Sequence, residues 1–424
     1  MKRSFSLRDR RPLLLVTSGT ALIAATYGLV RLAYGLFLPD VQAELSLSAS
    51  TAGLISSGAS AAYCAAALAS FLLASRTPHL FAALATVTAA GGALGMALAA
   101  DGTGFAVAAI LASSGAGFAS PALVELLHRT IQKEDVGRMQ GVVNAGTGPG
   151  LVAAGLLALV LLPDWRLAWT LAAGASIVAG GLVIASTWRG TTATTTRPDA
   201  APRLAPVPPR SWFRQHLRVI AAALLLGAGS AAVWTFGRTA LVDAGASQEL
   251  SAGAWVALGV GGAAVIASAG RLQKLSSRRA WLMTSLPVAA ATVLLGTSAG
   301  AWPLAFAACI AFGWGYTAGT GVLIWWTTRL DPTRAPAGTA LLFVVLVLGQ
   351  ALGSAVVGQA IEHVGIPGSF VASALFVVVG VLAASKKPAA GSPGCASDAP
   401  PTQVSRTADA AAAARRPRTA HPRA

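Results

Sequence analysis

Residues 12–38 read PLLLVTSGTALIAATYGLVRLAYGLFL, an apolar run that contains a single charged residue, Arg31. About 20 apolar residues are enough for a helix to span the ~30 Å hydrocarbon core of a bilayer. A charged side chain at that depth is costly, and it usually faces a bundle interior or a water-filled cavity. The stretch therefore predicts a membrane helix whose arginine has a functional role.

Eleven more apolar runs of similar length follow along the chain. The chain is 55% hydrophobic and only 11% charged, whereas soluble proteins carry roughly 25% charged residues. We therefore predict an all-α polytopic membrane protein with twelve transmembrane helices. The predicted spans are 12–38, 50–75, 79–99, 104–127, 138–162, 164–187, 217–241, 250–272, 280–299, 302–328, 336–360 and 367–385.

The centre of the chain breaks the apolar pattern with the segment TTATTTRPDAAPRLAPVPPR. A Thr-, Pro- and Arg-rich stretch without an apolar face predicts a flexible cytoplasmic linker. It separates two pseudo-symmetric bundles of six helices each. The predicted divisions are a cytoplasmic N-terminus at 1–11, bundles at 12–188 and 217–385, the linker at 189–216, and a disordered cytoplasmic tail at 386–424.

The charged residues follow the predicted topology. The chain has 31 Lys and Arg against 15 Asp and Glu, a net charge of +16. When the segments between helices alternate from the inside, 28 of the 31 basic residues fall on the inner side, and the exceptions are Arg31, Arg166 and Arg238. The positive-inside rule then predicts a multi-pass protein of the bacterial cytoplasmic (inner) membrane with both termini cytoplasmic. A basic face for nucleic acid is not indicated.

Other protein classes lack support in the sequence. The first apolar run is too long for a signal-peptide core and lacks a small-residue cleavage site. No G-x-x-x-x-G-K-[ST] motif, metal-ligand cluster or nucleophile–base pair is present, so neither an enzyme nor a bound cofactor is predicted. The odd cysteine count, with no cysteine in an outer loop, implies no disulfide framework.

One loop motif connects the chain to a known family. The sequence Gly270-Arg271-Leu-Gln-Lys274-Leu-Ser-Ser-Arg278-Arg279 resembles G-x-x-x-D-R-x-G-R-R, which follows helices 2 and 8 in the major facilitator superfamily. Lys274 stands where the family has aspartate, and the first copy is reduced to Ser75-Arg76-Thr77-Pro78-His79. The resemblance covers Leu13 to Ser385 and implies a twelve-helix transporter. It also implies a gating role for the residues that match the motif, namely Arg76, Gly270, Arg271, Lys274, Arg278 and Arg279.

Helix 5 contains GVVNAGTGPGLVAAG, with Pro149 in its middle. Proline removes a backbone hydrogen bond, so the segment predicts a bend that serves conformational change. Tight helix packing explains the same glycines equally well.

The arginines carry a more specific resemblance. Tyr27-Gly-Leu-Val-Arg31, followed by Pro39, is similar to helix 1 of the organophosphate:phosphate antiporters, and Arg238-Thr-Ala-Leu-Val-Asp243 is similar to their helix 7. The resemblance implies that the paired arginines bind an anionic substrate. Helix 1 also resembles that of uncharacterised bacterial facilitators with R-x-A-Y-G-x-x-x-P, whose substrates are unassigned.

Arg31 and Arg238 lie at similar depths in the first helix of each half, so pseudo-twofold symmetry predicts that they face one cavity from opposite walls. A guanidinium group matches the oxygens of a carboxylate or phosphate. The two structural alternatives are pairing with a nearby carboxylate, Arg31 with Asp40 or Arg238 with Asp243, and snorkelling to the outer headgroups. Further predicted cavity residues, for which interhelix hydrogen bonding is an alternative role in several cases, are Tyr27, Tyr34, Asn144, Trp234, Tyr316 and Gln350.

Energy coupling has one candidate pair. Glu125 and His128 are three residues apart on helix 4 and are predicted either to share a proton or to form a capping salt bridge. The predicted function is secondary active transport of a small organic anion by a monomer, through exchange or proton coupling. The alternatives are export of neutral or amphipathic drug-like compounds, and a sensor that acts through its basic tail.

Overall fold

The computed structural model describes residues 7–188 and 208–385, and these ranges are helical with short connections. The N-terminal six residues, most of the predicted linker and the predicted tail lie outside the described residues. A π-helical segment, Ala24–Leu32, joins α1 to α2, and a 3-10 turn, Pro332–Arg334, precedes α14. The helices are α1 Leu7–Ile23, α2 Tyr34–Leu45, α3 Ala49–Leu73, α4 Pro78–Leu98, α5 Gly102–Thr130, α6 Lys133–Asn144, α7 Thr147–Leu161, α8 Trp165–Trp188, α9 Arg210–Asp243, α10 Gln248–Ala263, α11 Val265–Gln273, α12 Ser277–Thr297, α13 Trp302–Leu330 and α14 Ala335–Ser385.

Within these ranges, eleven helical runs are long and apolar enough to cross a membrane. The last run, α14, has 51 residues, which at 1.5 Å per residue is ~77 Å and more than twice the hydrocarbon thickness. It is interrupted at Gly365, where φ is 69° and ψ is 178°. Glycine adopts a positive φ without a steric penalty, so α14 divides into two arms. The all-helical fold with twelve apolar crossings is therefore confirmed.

Two helices extend further toward the N-terminus than the sequence predicted. The first helix already includes Leu7, the first residue that the structure describes, whereas the sequence predicted a start at residue 12. The helix α9 begins at Arg210 rather than at residue 217. The added turns of α9 contain buried packing, because Trp212 and His216 stack with ring centroids 3.8 Å apart. Pro209 occupies the position before the helix. Residues 210–216 thus belong to the helix and not to the linker.

The two halves meet mainly where α2 packs on α9, α3 on α14, and α7 on α10, and α3 also contacts α9. The α3–α14 contact requires glycine: a Cβ on Gly53 would lie 2.4 Å from the Ser354 carbonyl oxygen. At the end of the bundle where Glu44, Asp101 and Asp164 lie, here called the acidic end, the Glu362 carboxylate accepts a hydrogen bond of 2.9 Å from the Ser50 backbone. The halves are therefore joined at the acidic end.

The fifth crossing is broken between α6 and α7, at Ala145 and Gly146. Pro149 lies in the first turn of α7, where a missing backbone N–H is tolerated and its ring disfavours a continuous helix through residue 145. Close packing accompanies the break: a Cβ on Gly150 would lie 2.2 Å from the Ala24 carbonyl oxygen in the π segment. The bend and the tight packing, which are alternatives on sequence grounds, occur together.

We expect Gly150→Ala to lower the thermal unfolding midpoint of the detergent-purified protein, because the added methyl group meets backbone atoms that must shift, at a cost of about 1–3 kcal/mol. Gly148 lies on the same helix, and a Cβ added there would have no neighbouring atom within 4 Å. Gly148→Ala is the matched control and gains the same helix propensity, about 1 kcal/mol, without the clash. Equal midpoints for the two variants would show that this contact does not constrain the fold.

Candidate functional site

A cavity lies between the two halves, and it is lined by residues of the π segment, α2, α3, α4, α5, α9 and α14. The volume that the centres of water molecules can occupy in this cavity is about 50 Å³. At 10–15 Å³ per water, the cavity holds roughly four water molecules. Its lining contains one charged side chain, Arg31, and no carboxylate among the described residues. The polar lining residues, besides Arg31, are Tyr34, Ser56, Ser60, Ser113, Trp234, Thr235, Gln350 and Ser354.

Arg31 is held from both halves. Its Cζ atom lies 4.6 Å from the ring centroid of Tyr63 on α3, a cation–π contact. Its Nη2 donates a hydrogen bond of 3.1 Å to the Gln350 side-chain oxygen on α14. Its Nε is buried and has no hydrogen-bond partner among the described residues. No described carboxylate lies within ion-pair distance of Arg31, so the protein groups around its charge are neutral.

The two predicted tyrosines of the first helix have different positions. The Tyr27 hydroxyl lies 2.7 Å from the Tyr63 hydroxyl, with the rings edge to face. Tyr27 therefore supports the ring on which Arg31 stacks and does not line the cavity. Tyr34 does line it, and its hydroxyl donates a hydrogen bond of 2.9 Å to the Ala52 carbonyl.

On the opposite wall, Gln350 connects the arginine to an aromatic cluster. Its Nε2 donates to the Tyr316 hydroxyl at 2.9 Å, while its oxygen accepts from Arg31. Tyr316 packs edge to face on Trp234, with centroids 5.3 Å apart, and stacks on Phe312. Trp234 and Gln350 line the cavity as predicted, whereas Tyr316 contacts both of them but is not part of the lining.

Three hydroxyl groups join the halves beside the arginine. We call Ser56, Thr235 and Ser354 the hydroxyl trio. Ser56 Oγ lies 3.0 Å from Thr235 Oγ1 and 3.0 Å from Ser354 Oγ, and the last two are 3.1 Å apart. Ser56 belongs to the first half and the others to the second. A neutral, exchangeable network therefore spans the interface at the cavity.

Arg238 is placed differently from Arg31. Only 1% of its side chain is exposed, and its Nη1 forms an ion pair with Asp40 on α2 and donates to the Leu36 carbonyl at 2.7 Å. Its Nε donates to Ser251 Oγ at 3.0 Å. Arg238 is absent from the cavity lining, and Asp40 compensates its charge. The pairing crosses the halves, because the packing of α2 on α9 brings Asp40 to Arg238 rather than to Arg31.

The remaining predicted residues lie away from the cavity. Asn144 is exposed and accepts a hydrogen bond of 3.3 Å from Ser120. Glu125 forms a salt bridge of 2.9 Å with Arg129, and His128 is exposed, an arrangement that matches the capping alternative with Arg129 as the partner. For the predicted gating residues, no ion pair exists within the described part of the chain; they are Arg76, Arg271, Lys274, Arg278 and Arg279.

Comparison with known proteins identifies the family. The sequence profile described as Major Facilitator Superfamily matches residues 20–328. The chain belongs to the major facilitator superfamily. No curated protein sequence is significantly similar to this facilitator.

Solved structures of transporters share the fold. A bacterial homolog of the human lysosomal transporter Spinster, inward-facing and unoccupied, is 15% identical over 91% of this facilitator and 100% of its own chain, with a TM-score of 0.68. The nucleoside transporter NupG is 14% identical over 88% and 98% of the two chains, with a TM-score of 0.71. A D-xylose-proton symporter is 13% identical over 88% and 97%, with a TM-score of 0.68. The family and fold together make this facilitator a multi-pass membrane transporter of small molecules and not an enzyme.

Sequence reasoning missed Tyr63, Ser113 and the hydroxyl trio. Small hydroxyl residues in Ala/Gly-rich helices do not differ in pattern from residues that pack or bond to their own helix. Tyrosine content offered a usable signal. The facilitator has four tyrosines, and all of them lie at or near the cavity. Tyr34 lines it, Tyr63 and Tyr316 contact lining residues, and Tyr27 contacts Tyr63.

We expect Asp40→Asn to destabilise the facilitator strongly, because removing one partner of a buried pair costs about 3–5 kcal/mol by leaving a buried charge uncompensated. Glu125→Gln is the control, since Glu125 pairs with Arg129 one turn later on α5, with 28% and 44% of the two side chains exposed, and such pairs contribute about 0–1 kcal/mol. Thermal unfolding in detergent measures both. The double variant Asp40→Asn with Arg238→Gln should recover part of the loss. Equal shifts for Asp40→Asn and Glu125→Gln would contradict the structural role assigned to the Asp40–Arg238 pair.

Proposed function

We propose that this facilitator transports a small organic anion across the bacterial inner membrane by alternating access, as a monomer with both termini cytoplasmic. The observation that carries the proposal is Arg31, the single charge in the cavity lining, which has no carboxylate partner among the described residues. Its substrate is expected to supply the missing negative charge.

The electrostatics of the cavity favour an anion. The Arg31 guanidinium is partly buried, and its contacts with an aromatic ring and an amide solvate it less well than water does. An anion that enters the cavity therefore improves its environment. At an effective dielectric constant near 20, opposite unit charges 4 Å apart attract by roughly 4 kcal/mol. A cation is repelled equally, and no carboxylate in the described lining reverses the sign.

The contacts between the halves fit alternating access. At the acidic end, the Asp40–Arg238 pair and the Glu362–Ser50 hydrogen bond join them. At the other end, α6 packs on α1 and α5 of its own half, and α11 packs on α10 and α13 of its own half. With the topology indicated by the basic residues, the closed end is periplasmic and the state is inward-facing.

Exchange is the coupling mode that the cavity favours. A proton-coupled site normally holds a titratable carboxylate beside the substrate, and the described lining has none. Glu125, the predicted proton carrier, is already paired with Arg129 near the end of α5. An anion moving in the opposite direction would neutralise Arg31 on the return step in place of a proton.

The second candidate function, export of neutral or amphipathic compounds, is favoured by the apolar part of the lining. Val30, Leu32 and Met96 contribute to this surface. Such a substrate would leave the Arg31 charge uncompensated, and transport would then depend little on that residue. The response of Arg31 variants therefore separates the two functions.

We expect a panel of organic anions to raise the thermal midpoint of the purified facilitator, because a ligand that binds only the folded state stabilises it. Arg31→Gln should abolish this shift and the uptake of the same anion into proteoliposomes. Arg166→Gln, which removes an arginine of the acidic end outside the cavity lining, should retain both. Normal anion binding and uptake by Arg31→Gln would contradict the proposal. Stabilisation by neutral compounds alone, unchanged in Arg31→Gln, would favour the second function.

A further inference from the structure

The charge inside the cavity is smaller than the two arginines of the sequence suggest. Arg238 is compensated by Asp40 and lies outside the lining. The fixed charge that a substrate meets is therefore +1, from Arg31. A substrate with two negative charges would keep one of them uncompensated in a poorly hydrated space, which is unfavourable.

The hydrogen-bond donors of the lining that have no partner also indicate a ligand with one negative charge. Besides Arg31 Nε, the lining contains a neutral donor that is buried without a hydrogen-bond partner among the described residues, Ser113 Oγ. Only 2% of Ser113 is exposed. Buried polar atoms are normally satisfied, so these donors indicate a ligand or water that accepts their hydrogen bonds. One charged and one neutral donor suit the two oxygens of a carboxylate, whereas a phosphate group presents more acceptor sites.

The hydroxyl trio indicates a second feature of the substrate. Each hydroxyl has one donor hydrogen and two acceptor lone pairs, so a closed set of three retains free acceptor positions. All three residues line the cavity. A hydroxyl group on the substrate could donate to them and join the same network, which links Ser56 of the first half to Thr235 and Ser354 of the second.

We propose that the substrate class is a short monocarboxylate with a hydroxyl substituent, whose carboxylate binds Arg31 and Ser113 and whose hydroxyl binds the trio. This inference rests on the proposed anion transport and deepens it. The small free volume of the cavity, about 50 Å³ for water centres, fits an acid of this size and is too small for a drug-sized compound in the same conformation.

The test compares four probes by equilibrium binding and by thermal shift at one ionic strength: lactate, propionate, malate and glycerol 3-phosphate. Lactate should bind at least about tenfold more tightly than either dianion, and several-fold more tightly than propionate, which lacks the hydroxyl. Ser113→Ala should weaken lactate and propionate alike, about five- to tenfold. Ser56→Ala should weaken lactate and leave propionate nearly unchanged.

The outcomes separate this inference from the proposed function. Tighter binding of a dianion than of lactate, lost in Arg31→Gln, would overturn the monocarboxylate assignment and keep anion transport. Equal binding of lactate and propionate would overturn the role of the trio. If none of the four anions binds, both the assignment and the proposed anion site fail. The unliganded melting curve of each variant verifies that it is folded, and Arg31→Lys, which keeps the charge but not the planar fork, provides a milder substitution than Arg31→Gln.

Discussion

The Arg31 guanidinium lies between the Tyr63 ring of the first half and the Gln350 amide of the second, and no described carboxylate balances it. A partly buried cation in this position constrains the surrounding structure. It requires a rigid aromatic support, which the Tyr27–Tyr63 hydroxyl contact provides. It also requires a neutral acceptor that does not cancel the charge, and Gln350, oriented by Tyr316, meets that requirement. Because the two supports belong to different halves, a ligand that binds the arginine acts at the interface that must rearrange during transport.

The two membrane arginines show how the same residue type acquires different roles. Arg238 has three hydrogen-bond acceptors, one of them the Asp40 carboxylate, and almost none of it is exposed. It holds α9 to α2 at the acidic end. Arg31 has one neutral acceptor and an aromatic ring, and it faces the cavity. The difference arises from Asp40 on α2, which reaches across to Arg238 in the second half. Arg31 lies in the π segment that precedes α2, and no described carboxylate pairs with it.

Much of the fold could be predicted from the sequence. The length of the apolar runs predicted the twelve crossings, because a bilayer admits few other solutions. The helical residues before residue 12 and the first turns of α9, 210–216, were missed, because both stretches are too polar for a hydropathy pattern. The π segment has no sequence pattern that distinguishes it from an ordinary helix.

The lining of the cavity was predicted in part. Arg31, Tyr34, Trp234 and Gln350 were found because large polar side chains are conspicuous in an apolar helix. The role of Arg238 depended on which carboxylate it meets, and the hydroxyl trio depended on three helices converging. Both are three-dimensional facts without a local signal in the chain.

The location of a bound anion tests the role of Arg31 most directly. A crystal structure of the facilitator with a brominated short monocarboxylate would locate the bromine by anomalous scattering. The predicted result is a signal inside the cavity, with the carboxylate on Arg31 and no ordered anion on Arg238. A signal confined to the basic residues at the other end of the bundle, with an empty cavity, would contradict that role.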